Sequence, residues 1–151
     1  MDLYPIDVKK YKVVFFPIQV FNILAIISSY LLVDNGVYIF HGLNYGRGLT
    51  MPVLFVMVVL ALWHSQYQRN ELRKILTFSD FDERLAGYER YYRFQMFWFF
   101  FSCLISCFLC ILTNRFLFLC FACFDVFVSL QLFPTLRRFR RDLQNDEIFF
   151  S

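Results

Sequence analysis

The sequence predicts an all-α fold, an integral membrane bundle of four transmembrane helices with a helical extension of the third span and an amphipathic C-terminal helix. Three observations predict it: the composition, four apolar stretches of spanning length, and a one-sided distribution of Lys and Arg. Of 151 residues, 59% are hydrophobic, 22 are Phe and only 18% are charged, which lies outside soluble globular usage. The formal charge of +3 is too small to suggest nucleic-acid binding. The basic residues sit beside apolar spans instead of forming one face of a folded domain.

The expected spans are residues 13–33, 49–66, 94–112 and 116–133, each meeting the length of about 17–25 largely apolar residues that a bilayer requires. Pro52 falls in the first turn of the second span, where its missing N–H would be unpaired anyway, so it marks a helix start. Only Thr113, Asn114 and Arg115 separate the third and fourth spans, which predicts a tight antiparallel hairpin. Residues 67–93 form a helical connection. In it Ser79 and Asp82 resemble a helix start, and Phe81, Leu85, Tyr88 and Tyr92 recur at helical spacing, with Asp80–Arg84 and Glu89–Arg93 as i,i+4 pairs.

The tail, residues 135–151, follows Pro134. It sets Leu136, Phe139 and Leu143 on one face, with Arg137, Arg138, Arg140 and Arg141 around the other. This is the pattern of an interfacial helix drawn to anionic lipid, or of a charge cluster that only fixes topology. Thirteen of the 15 basic residues fall on one side of the predicted membrane, with only Arg47 and Arg115 opposite. The positive-inside bias then places both termini in the cytoplasm. The first apolar run is too long for a cleavable signal, so the first span is expected to be retained.

Asp125 lies in the middle of the fourth span, where an ionised Asp costs about 2.5–3.5 kcal/mol on insertion scales. Counting inward from the span ends puts Asn22, Ser102, Cys103, Ser106 and Asp125 at similar depth on three helices, with Gln19 one turn below Asn22. Unpaired polar atoms in lipid cost several kcal/mol, so these groups should seek one another. Ser102, Ser106 and Cys110 also form a small-xxx-small row that lets helix backbones approach closely.

The remaining chemistry is sparse. Tyr38, His41, Asn44, Tyr45 and Arg47 in the outer loop could form a small site, although loops of this composition are usually solvated turns. His41 and His64 fall on opposite sides of the membrane and cannot share a metal. All five cysteines lie inside the last two spans. Cys120-x-x-Cys123 resembles the thiol pair of membrane quinone-linked oxidoreductases of the vitamin K epoxide reductase type. Those enzymes use further cysteines in aqueous loops, and the loop Asp34–Gly48 has none, so small packing residues are the better account. No phosphate loop, nucleophile elbow or paired-carboxylate motif is present, and no cofactor is expected.

Phe81-Asp82-Glu83-Arg84-Leu85 leads into Tyr91-Tyr92-Arg93, Leu112-Thr113 closes the third span, and Phe133-Pro134-Thr135 precedes basic residues and Asp142-Leu143. In these features the half of the chain from Phe81 to Glu147 resembles a group of small, uncharacterised multi-span inner-membrane proteins of Bacteroidota. The resemblance implies a bacterial inner membrane and assigns no activity. The expectation from the residues is a non-enzymatic accessory or interaction subunit acting through helix contacts. Its partners are the bilayer, including anionic lipid, and a membrane protein or a second copy. The alternative is a small proton- or cation-coupled transporter or channel using Asp125.

Overall fold

The computed structural model describes residues 4–37, 47–145 and 148–150. In chain order the elements are β1 (Tyr4–Ile6), α1 (Val8–Asp34), α2 (Arg47–Leu76), α3 (Phe81–Thr113), α4 (Phe116–Leu130), α5 (Leu136–Leu143) and β2 (Ile148–Phe150). The all-α expectation holds for the body of the protein. A short parallel pairing of β1 with β2, which joins the two ends of the chain, was not foreseen.

α1 and α3 each start where an acidic side chain supplies a partner for a free N–H group. The Asp7 carboxylate caps α1, accepting from the Lys9 N–H at 3.0 Å. At α3 the cap is Asp80 and not Ser79, with the Asp82 N–H donating to its carboxylate at 3.3 Å and Asp82 and Glu83 favourably placed in the first turn. Of the two expected ion pairs Glu89–Arg93 forms, whereas the Arg84 guanidinium turns back to the Phe78 carbonyl and closes the link between α2 and α3. The predicted connection 67–93 is therefore two helical extensions joined by a four-residue turn, residues 77–80.

Three helices, α1, α2 and α3, are long and apolar enough to cross a membrane. The fourth expected span is shorter in the structure, since α4 has 15 residues and ends at Leu130, not at 133. At 1.5 Å per residue it measures about 22 Å, less than a hydrocarbon core of about 30 Å. Pro134 accounts for the early end, because its ring disfavours helical geometry in the residue before it. The hairpin between α3 and α4 forms as expected, with Asn114 in the left-handed region (φ 52°) ending α3.

Residue pairings give the layout. Tyr11 meets Tyr88 and Tyr92 near the starts of α1 and α3, and Asn22 meets Cys103 further along, so these helices run the same way. His64 against Trp98 with Ile75 against Gly87, and Ser102 against Asp125 with Gln19 against Ser129, show α2 and α4 running opposite to them. α3 lies at the centre and touches every other helix, whereas α2 packs mainly on α3. Gly87 in α3 allows the end of α2 to come close: a Cβ there would lie 3.3 Å from Ile75 Cγ1 and 3.5 Å from Phe78 Cε2.

The largest core lies at the end where the termini meet, built from Tyr11, Tyr88, Tyr92, Met96, Phe139 and Leu143. The apolar face of α5 is inside it. Phe139 is fully buried, its ring 4.8 Å from Tyr11 and 5.4 Å from Tyr88 between centroids. The apolar face that an interfacial helix would lay on lipid is thus covered by the protein's own aromatic side chains at the starts of α1 and α3.

A bulky residue at position 87 should push α2 away from α3. Gly87→Leu is expected to cost about 1–3 kcal/mol through overpacking, and chemical denaturation in detergent would measure it.

Candidate functional site

The polar groups expected at mid-bundle come together in part. The Ser102 hydroxyl on α3 donates to Asp125 Oδ2 on α4 at 2.6 Å. One turn nearer the termini, Gln19 Nε2 on α1 donates to Ser129 Oγ on α4 at 2.7 Å. Ser129 was not anticipated, although its spacing of four from Asp125 puts both on one face of α4. Cys103 Sγ lies 4.0 Å from the Asn22 carbonyl oxygen, which places α1 against α3 at this level. Asn22 does not bond to Asp125: its side chain is fully buried and neither amide atom has a protein partner. Ser106 is also fully buried, and its hydroxyl is unpartnered.

Asp125 is half-buried and carries one hydrogen bond from a neutral hydroxyl. A carboxyl held this way fixes the register of α3 against α4, since sliding by one residue would separate the pair. Among the described residues no group of three or more His, Cys, Asp or Glu side chains could hold a metal ion. Cys103, Cys107 and Cys110 are buried, whereas Cys120 and Cys123 are exposed on the outside of α4. Cys120 and Cys123 thus lie apart from the polar layer.

A second polar site, which sequence reasoning did not find, lies at the terminal end. Arg138 of α5 is only 9% exposed, and its guanidinium meets three elements. Nη1 donates to the Gln131 carbonyl at the end of α4 at 2.7 Å, Nη2 to Gln95 Oε1 on α3 at 3.4 Å, and Nε to Asp142 Oδ2 at 3.2 Å. Asp142 in turn accepts from the Tyr88 hydroxyl at 2.9 Å and from Arg141 Nε at 3.0 Å. Gln95 closes the network by donating to the Tyr91 hydroxyl. Burial disfavours the Arg138 charge, but Tyr88 and Asp142 outweigh it and hold the guanidinium pKa above its usual value.

The four tail arginines therefore divide. Arg138 is internal, Arg137 and Arg141 are exposed, and Arg140 is half-buried. The i,i+4 spacing of Arg138 and Asp142 on a helix was the available signal. The neighbouring Arg137, Arg140 and Arg141 hide it, because four arginines around the polar face of an amphipathic helix look alike in sequence.

His64 lies at the contact between α2 and α3. It is buried, stacked on Trp98 with ring centroids 4.1 Å apart and planes 5° from parallel, and its Nε2 is bonded to the Gln68 side chain. The stack anchors α2 to α3. Of the outer-loop group, Tyr38, His41, Asn44 and Tyr45 lie outside the described residues, as does the side chain of Arg47 at the start of α2.

No known family model matches the chain, and no curated protein or solved structure matches it either. The residues alone carry the functional argument.

Removing one partner of a buried ion pair leaves the other uncompensated. Arg138→Ala should therefore cost about 3–5 kcal/mol, while Arg137→Ala, one position away and exposed, should stay within about 0.5 kcal/mol; denaturant melts of both variants would check this. At mid-bundle, Asp125→Asn keeps an acceptor for Ser102 and should melt close to wild type. Asp125→Leu strands that hydroxyl and should cost about 1–3 kcal/mol.

Proposed function

We propose that the chain is a four-span protein of a bacterial inner membrane with both termini in the cytoplasm, and that it acts as a non-enzymatic accessory or interaction subunit through its helix contacts. α4, shorter than a bilayer core, completes the span with the turn that follows it and with local thinning of the lipid. The basic residues support the orientation, because Lys9, Lys10, Lys12, Arg137 and Arg141 gather at the terminal end. The compartment is the one that the resemblance of the Phe81–Glu147 segment implies.

The observation that carries the reading is the surface of α2. Only 6% of its most apolar stretch is buried, and Met51, Phe55 and Leu62 are 66–70% exposed. A 30-residue helix packed mainly on α3, with these large apolar side chains exposed, presents most of its surface to lipid or to another membrane helix. Asp125 fits the same reading as a packing group, since its Ser102 bond gives it a structural role. A second reading, transport through Asp125, is favoured by the unpartnered polar atoms of Gln19, Asn22 and Ser106 inside the bundle.

Reconstitution of wild type and Asp125→Asn in liposomes separates the two. The expected result is no proton or cation flux from either protein. Flux in the wild type that disappears in Asp125→Asn, with the melting temperature unchanged, would overturn the subunit reading in favour of transport.

A further inference from the structure

We infer that the seam where α1 meets α3 and α4 is a binding site for internal water, centred on the Asn22 amide, with Gln19 and Ser106 a turn away. Four polar atoms there have no protein partner: Asn22 Nδ2 and Oδ1, Gln19 Oε1 and Ser106 Oγ. The three residues are 0%, 5% and 0% exposed. Gln19 and Asn22 are three apart on α1, and Cys103 and Ser106 are three apart on α3, so each pair shares a helix face. The contact of Cys103 Sγ with the Asn22 carbonyl brings those two faces together.

The other buried serines show what Ser106 lacks. Ser29 and Ser129 each donate to a carbonyl of the preceding turn, Ala25 and Val126, at 2.7 Å. A helical serine ordinarily has that bond within reach. Ser106 does not make it, and its hydroxyl remains available to the seam. Asn22 leads to the same conclusion, because both amide atoms are unpartnered and either orientation of the amide leaves a donor and an acceptor facing inward.

These donors and acceptors define the ligand. It must be small, uncharged, and able to donate and accept at once. The seam offers amides and a hydroxyl, donors and acceptors without a formal charge, a set that favours a neutral ligand over an ion. Water fits, since buried waters typically make about three hydrogen bonds to polar groups that the protein leaves unsatisfied. A hydrated seam is compatible with a packing role for Asp125 and with the transport reading alike, so the site stands whichever of them holds.

Solid-state NMR on the full chain in lipid tests this directly, using water as the probe. Magnetisation is transferred from water protons to nitrogen-labelled protein, and the Asn22 side-chain amide is assigned by its loss in Asn22→Leu, or in Asn22→Ser where the leucine variant does not fold. The expected result is build-up at Asn22 Nδ2 several-fold faster than at the backbone amide of Ala122, a fully buried residue in the apolar packing beside Cys103. Build-up as slow as that of Ala122 would overturn the proposal and show a dry seam.

Discussion

The arrangement of this protein depends most on one buried guanidinium. Arg138 joins the C-terminal end of α4, the middle of α3 and its own short helix, and through Asp142 it reaches Tyr88. An eight-residue helix has little stability alone, so α5 persists because this network and the burial of Phe139 and Leu143 hold it. Taking a charge out of water is expensive, and the cost is offset only when its donors find acceptors in good geometry. Here Nε, Nη1 and Nη2 each have one. With the tail fixed, β2 lies where it can pair with β1, and the two ends of the chain close over the same core.

The polar contacts further along follow the same logic. Helices surrounded by lipid gain nothing from burying leucine against leucine, so specific bonds and close packing must set their register. α4 is held by Gln19 from α1 at one level and by Ser102 from α3 at the next, which fixes both its rotation and its depth. α2 has no such bond to a neighbour among the described side chains. The His64–Trp98 stack and the approach at Gly87 hold it against α3. The proposed role in helix association rests on this contrast between a tightly bonded trio and a loosely covered fourth helix.

Much of the fold was legible in the sequence because apolar length and turn residues report directly on long helices and where they end. The α3–α4 hairpin, the run of α3 through its polar extension and the Ser102–Asp125 level all follow from spacing along single helices. What was not legible depends on tertiary placement. Leu136, Phe139 and Leu143 define an apolar face, but nothing local says whether lipid or aromatic side chains will cover it. Arg138 and Arg137 are adjacent and alike in sequence, and only the position of Gln95 and Tyr88 distinguishes them. Depth made both Asn22 and Ser102 candidate partners of Asp125; Ser102 takes the bond, and the backbone carbonyl of Asn22 meets Cys103.

A double-mutant cycle between Arg138 and Asp142 tests the central claim most directly, with stability measured for Arg138→Met, Asp142→Leu and the double variant in the same detergent. The account predicts strong coupling, about 1–3 kcal/mol, with the double variant much less destabilised than the sum of the single changes. Additive effects, with coupling near zero, would show that the tail is held by Phe139 and Leu143 alone and would contradict the role given to the guanidinium.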